Sequence, residues 1–439
     1  MFPLIGAPRV IRYLYWGAGG AALLFLGGVL GYWLSDGITD LRKMFMPSPP
    51  KTEASAAWND FSQRMGSLGH RILEKDFPSG TDRDRAEGIQ HLTHVILEGL
   101  RWEFEHGGPD PASLMISNTD STSWGAPNVD NKNYRARIDG ASTYRLHGNV
   151  KSLHEIAVQT TAGDMHQGKV GTSETVDLSQ LTIDADGNFV LTISPEPQEG
   201  DWLRQGEDHV ILSIRTYFAN WETTESGKFH LVKEGREGVA PEPLTEMEAA
   251  ARLGRAASWI EANIVGWNRW FGMMLGGVED NQPIAPRLVE GGSTTLVYGG
   301  IPLRLEDGMA LVIEIEDPQA EYFSFQTYRR GWYHPGDYAN RQTSLNQHQI
   351  HRGSDGKIRF VASAEDPGVP NWLDTEGRSD GFIAFRYIKA KHPQLPEVTL
   401  VTQAEVASFF PADTPRVSAS ERRATIAMRQ RHVQHRFHN

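Results

Sequence analysis

Two segments of this chain carry one skeleton: DGNFVLTISPEPQEGDWLRQGEDHVILSIRTYF, from Asp186, and DGKIRFVASAEDPGVPNWLDTEGRSDGFIAFRYI, from Asp355. Each runs through an Asp-Gly turn, a strand, an acidic proline-containing loop, Trp-Leu, a polar turn and an apolar strand holding one arginine. The pairs Asp186/Asp355, Trp202/Trp372 and Arg215/Arg386 are offset by 169, 170 and 171 residues. Upstream, EIAVQT (155–160) matches YFSFQT (322–327), and His166 aligns with His334. Offsets that drift by single residues are what a duplicated domain with small insertions leaves behind. Short alternating runs broken by Gly, Asp and Asn fill 130–233 and return at 293–390, the texture of strands and hairpins. The fold expected is therefore mainly β, with two related sheet domains in tandem.

A tryptophan placed twice before the same strand is first of all architecture, and Trp202 and Trp372 are expected to cover the ends of their sheets. Arg215 and Arg386 lie inside apolar strands. A buried guanidinium needs a carboxylate or several carbonyls, because an unpaired buried charge is very costly. The acidic loops beside them (Glu196, Glu199, Asp201; Glu365, Asp366, Asp374) are the natural suppliers, which favours structural pairing over ligand binding.

At 439 residues the chain is expected to hold two or three domains. The net charge of −12 argues against nucleic acid as a partner, since phosphate binding requires a basic surface. With no cysteine, disulfide frameworks, thiolate zinc sites and cysteine nucleophiles are excluded.

Near the N-terminus, YLYWGAGGAALLFLGGVLGYWL (13–34) is free of charge, and as a helix it would reach roughly 33 Å, enough to cross a bilayer core. Tyr13, Tyr15 and Trp16 stand at one end of it and Tyr32 and Trp33 at the other, and Arg9 and Arg12 precede it. These features predict a signal anchor in a bacterial inner membrane, with the N-terminus inside and the body outside the cytoplasm. Gly27 and Gly31 form a GxxxG pattern that would let two such helices pair into a homo-oligomer, although glycine is common in spans without that role.

The divisions expected are a cytoplasmic tip and transmembrane anchor (1–43), a linker (44–57), a helical segment (58–129), a first β-sandwich (130–240), a connecting aromatic-rich helix (241–284), a second β-sandwich (285–392) and a tail with a basic helix (393–439). In the helical segment Ile89, Leu92, Ile96, Leu100 and Phe104 recur at helical spacing, with Thr81 or Asp82 as cap. In the connecting helix Trp259, Asn263, Trp267, Trp270 and Met274 fall on one stripe. That stripe reads as a core helix wedged between two β domains; the sharper alternative is an aromatic wall for an apolar ligand. In the tail, SASE is a capping-box pattern, and the arginines after it read as a solvated helix face.

The copies differ between the QT strand and the Asp-Gly turn. Only the second has Arg329, Arg330, Trp332, Tyr333, Asn340, Arg341, Asn346 and His348 crowded into one loop. Such groups suit recognition of sugars or acids; the plainer reading is ordinary polar loop surface. The candidate ligand-binding residues are Asn340, Arg341, Asn346, His348, His334, Asp366, Asn371, Trp372, Asp374 and Arg386. No P-loop, dinucleotide fingerprint, nucleophile elbow or zincin motif occurs, so no catalytic residue is assigned. Asp164 with His166, or His334 with Asp337, is the nearest approach to a metal-ligand pair, and no metal or cofactor is expected.

NRQTSLN and DPGVPNWLDTEG…GFIAFRY, together with DNKNYRARIDGASTYRLHGN (130–149) and GDWL, resemble the DUF1214 family of bacterial proteins over roughly residues 80–390. The resemblance implies antiparallel, jelly-roll-like β-sandwiches and carries over no catalytic residue. The function expected is extracytoplasmic binding of a small polar or amphipathic molecule, glycan- or lipid-like. The alternatives are a hydrolase of such a substrate, using acids near the second NWL loop, and a structural subunit of an envelope complex.

Overall fold

The computed structural model describes residues 52–74, 80–169, 171–289, 292–331 and 334–438. Residues 56–439 form one compact unit. The uncharged run at 13–34, including Gly27 and Gly31, lies outside the described residues. Among the described residues no helix is long and apolar enough to cross a membrane. The expected membrane anchor, and the membrane as a partner, are corrected on that finding: the described residues comprise two tandem sheet domains and helices, and none of those helices spans a membrane. Even the longest helix among the described residues, Glu246–Leu275, is interrupted by Glu248, Arg252, Arg255, Glu261 and Arg269.

Helices α1 (Glu53–Glu74) and α2 (Asp82–Phe104) come first, and Thr81 caps α2 in a capping box with Asp84. Of the expected aliphatic stripe on α2, Leu92, Ile96, Leu100 and Phe104 pack partly buried against the core, while Ile89 is 53% exposed, and the stripe is not the most deeply buried face. That face is the side carrying His91, Val95, Glu98 and Trp102. Polar side chains can turn inward here because they are bonded: Glu98 accepts from Ser117 Oγ and from Trp124 Nε1 at 3.1 Å.

The first β domain has nine strands: β1 (Met115–Ser117), β2 (Asn131–Arg137), β3 (Tyr144–Asn149), β4 (Glu155–Thr161), β5 (Val176–Asp177), β6 (Asn188–Ser194), β7 (Trp202–Arg204), β8 (Ile211–Tyr217) and β9 (Lys228–Lys233). They form a five-stranded sheet, β1-β2-β8-β4-β5, and a four-stranded one, β7-β6-β3-β9. After α3 (Glu246–Leu275) the second domain follows with β10 (Ile284–Arg287), β11 (Leu296–Arg304), β12 (Met309–Ile315), β13 (Tyr322–Arg329), β14 (His334–Pro335), β15 (Ser344–Asn346), β16 (Ile358–Ser363), β17 (Trp372–Asp374), β18 (Asp380–Ile388) and β19 (Glu397–Thr402). Its orders, β10-β11-β18-β13-β14 with β15 also on β13, and β17-β16-β12-β19, repeat the first.

The repetition extends to register. Arg215 lies opposite Ala157, and Arg386 opposite Ser324, the corresponding residue of the second copy. Trp202 and Trp372 open the short strands that pair in parallel with β6 and β16, and each indole N–H donates to the serine ending that strand, Ser194 or Ser363.

Alternation along the strands fixes what each face does. In β8, Leu212 and Ile214 point into the first sandwich core, as Ile383, Phe385 and Tyr387 of β18 do in the second. The opposite faces of these two sheets turn towards each other, with Tyr217, Leu296, Tyr322 and Ile388 packed between them.

The last helix, α4 (Ala419–Phe437), has the expected capping box of Ser418 with Glu421. It is not a solvated basic face. Arg429 is fully buried and donates to the carbonyls of Tyr338 and Ser344, and Arg436 donates to the carbonyls of Val129 and Asn131. Carbonyls and the rings of Phe218 and Trp221 solvate these guanidiniums in place of water.

Candidate functional site

Between the two inward-turned sheets lies a cavity of about 250 Å³. Strands β2, β4 and β8 of the first copy supply one wall, and β10, β11 and β18 of the second supply the other. Trp267, Trp270 and Met274, from the C-terminal half of α3, line it as well. The N-terminal half of that helix is core, with Trp259, Ile260 and Ile264 buried against α2. The core reading of the aromatic stripe thus holds for the N-terminal half, while the C-terminal half borders the cavity as well as packing, with Phe271, against Phe382.

Gly299 and Gly300 shape the second wall. A Cβ on Gly300 would fall 1.9 Å from Phe382 Cζ. Glycine in a strand interior usually marks such a close approach, and here it lets the tip of the Phe382 ring come against the strand beside the cavity.

The polar groups of the site come from the duplicated strands. Arg215 donates to Gln159 Oε1 at 3.0 Å. Gln159 is fully buried, and its Nε2 has no hydrogen-bond partner among the described residues. Arg386 donates to Ala126 O at 3.1 Å and to Tyr328 Oη at 2.6 Å, and lies over the rings of Tyr298 and Tyr328. The acidic loops therefore do not serve the two arginines as the sequence suggested: Asp366 binds Arg422, Asp374 binds Arg341, and Asp201 binds Thr182. The reason is alternation, since both arginines point away from their own sandwich and towards the opposite copy.

Arg135 enters from β2, forms both hydrogen bonds to Asp164 through Nη2 (2.8 and 2.9 Å), and stacks over Trp102 and Trp124. Burial opposes ionisation of Asp164, but Arg135 and the nearby His166 outweigh it, and the carboxyl is held below its usual range. Burial pushes the imidazole of His166 down to about 4, with Asp164 pulling the other way, so the ring is neutral at pH 7. It stands among Trp124, Trp259 and Trp267.

Of the ten candidate ligand-binding residues named from sequence, Arg386 alone lines this cavity. His334 is buried against His94, Nε2 to Nδ1 at 3.3 Å, and burial holds its imidazole well below the usual value. Asn346 is buried and donates to Asp130 Oδ1 at 3.0 Å, while the exposed His348 packs edge-on to His154. Asn340 is exposed and bonded to Asp337; Arg341 pairs with Asp374, whose carboxyl is pushed up by burial. Asn371, at φ 58°, ties His351 to Arg359 through its side chain, and Trp372 is stacked under Arg422. Arg329 pairs with Glu87 and Glu376, and Arg330 with Asp280; Trp332 and Tyr333 lie outside the described residues. The crowded second-copy loop is thus drawn into several separate networks. Gln159, Arg135 and Tyr298 were not singled out in the sequence. The signal that could have found them is alternation, because the residues sharing a face with Arg215 and Arg386 necessarily line the space between the sheets.

The family model described as a protein of unknown function, DUF1214, matches residues 126–220 and 300–392. A crystal structure of an uncharacterized protein from Burkholderia cenocepacia is similar at 25% identity and a TM-score of 0.73, covering 79% of this chain and 97% of that one. The VPA0106 protein from Vibrio parahaemolyticus is 13% identical, with a TM-score of 0.43, 72% of this chain and 98% of that one being covered. A comparison with curated proteins gives no match. The two matched segments coincide with the two copies whose arginine strands enclose the cavity, so the chain carries the DUF1214 domain twice.

Proposed function

We propose that the protein binds a small amphipathic molecule in the cavity between its two β domains. One observation carries this reading: the sheets of both copies and the aromatic end of α3 converge on one space lined by large apolar side chains and a few buried polar groups. That combination is the usual composition of a small-molecule site. The volume, about 250 Å³, lies just under the range of about 300–1,000 Å³ for such sites, so the ligand is a compact molecule and not a polymer segment.

The test is occupancy. Purified protein, extracted and examined by mass spectrometry, should release a small molecule, and Ser213→Trp should not retain it. Ser213 lines the cavity between Arg135 and Gln159 on the neighbouring strands, so an indole there fills the space without touching either sandwich core. Extracts of the parent and the Ser213→Trp protein that match, with no thermal shift of the parent by neutral or charged amphiphiles, would sink the proposal.

A further inference from the structure

The charges around the cavity do not balance. Arg135, Arg215, Arg287 and Arg386 line it, whereas Asp164 is the one carboxylate among its described lining residues and is already bound to Arg135. No ion pair among the described residues includes Arg215; its hydrogen bond goes to the neutral amide of Gln159. That bond occupies Gln159 Oε1 and leaves Nε2, buried in the wall, without an acceptor. Nη1 of Arg135 is likewise buried without an acceptor. The wall therefore offers donors in excess, two of them with no acceptor among the described residues.

An unpaired donor or cation in a water-poor site is costly until an acceptor arrives. The acceptor that answers a guanidinium and an amide N–H together is a carboxylate, whose two oxygens can take one donor from each. The rest of the lining, with Trp267, Trp270, Tyr298 and Phe382, suits an apolar body attached to it.

Resting on the binding reading above, we propose that the ligand is a small organic carboxylate. Its carboxylate lies at the Arg215–Gln159 pair, Arg386 adds positive charge from the opposing sheet, and its apolar body lies against the α3 aromatics. Asp164, bound to Arg135 through both carboxylate oxygens, offsets the charge of that arginine.

Matched probes separate the two claims. Phenylacetate is compared with 2-phenylethanol, and octanoate with 1-octanol, by calorimetry and by the fluorescence of the cavity tryptophans. Each carboxylate should bind at least tenfold more tightly than its alcohol, with the preference shrinking as salt rises. Arg215→Gln should remove the preference, and Arg215→Lys should retain most of it. Melting temperatures are recorded alongside, so that a misfolded variant is not scored. Acids and alcohols binding alike would overturn the carboxylate inference while leaving the binding reading standing. If no member of either pair binds at millimolar concentration, both fall. A tenfold preference that survives Arg215→Gln would also overturn the assignment, because the charge would then be read elsewhere.

Discussion

Asn340 and Asn346 stand six positions apart in one loop, and the same amide does opposite work in the two places. Asn340 is exposed, and Asp337 and Gln430 engage it at the surface. Asn346 is sealed between the copies, where its Nδ2 donates to Asp130. Asp130 also accepts from Trp221 Nε1 at 2.7 Å and from Tyr322 Oη at 2.6 Å. Removing a buried hydrogen-bonding partner and stranding a carboxylate oxygen costs about 1–3 kcal/mol, more where the group is charged. Asn346→Ala should therefore lower stability by about 2 kcal/mol in chemical denaturation, against roughly 0.5 kcal/mol or less for Asn340→Ala. Equal losses in the two variants would show that the Asp130 cluster does not hold the copies together. In the sequence both asparagines read alike, because nothing local tells an amide that its acceptor lies 216 positions upstream.

At the scale of the strand and its loop, the duplicated skeleton was legible because it is local. Turn residues, alternation and the tryptophan before each arginine strand lie within one short window, and the two copies confirm each other. The arginine partners were not legible. They depend on which face of β8 and β18 meets the opposite sheet, a fact settled by the packing of two domains and not by either window. The helices follow the same rule: the caps at Thr81 and Ser418 were readable, whereas the buried faces of α2 and α4 were not, since Glu98, Arg429 and Arg436 turn inward only where distant groups receive them. Trp372 belongs to the legible part. It is half-buried, with its N–H on Ser363 O at 3.1 Å and Arg422 over its ring. Trp372→Ala should cost about 2 kcal/mol, below the ~3–5 kcal/mol of a fully buried aromatic. Trp202→Ala should cost less, because Arg422 is stacked on the second-copy ring alone among the described residues. Thermal and urea melts of the pair check the order, and a larger loss for Trp202 would reverse the reasoning.

Across the whole molecule, α4 joins what the duplication separates. Its Arg429 binds Tyr338 and Ser344 of the second copy, while Arg436 binds Val129 and Asn131, and Lys132 Nζ donates back to Arg436 O at 2.6 Å. Both guanidiniums are fully buried, and burial lowers each to about 10, so they remain charged at neutral pH. Asp130, the carboxylate beneath Asn346, attracts both. The helix therefore stabilises the contact between the copies, and with it the walls of the cavity, although it lines none of it. Ending the chain at residue 415 would remove the two arginines and leave Asp130 and several carbonyls facing an apolar gap. Losing one partner of a buried charged network costs about 3–5 kcal/mol, so the shortened protein should melt well below the parent. The point mutants separate packing from charge. Arg429→Met keeps most of the volume over Trp221 and loses the hydrogen bonds to Ser344 and Tyr338. It should fall between parent and truncation in stability, and it should weaken any ligand in the cavity only as far as the melting temperature drops. A truncated protein that melts with the parent would show that the two sheets hold each other without α4, through the Asp130 cluster and the packing of Tyr217, Tyr322, Leu296 and Ile388.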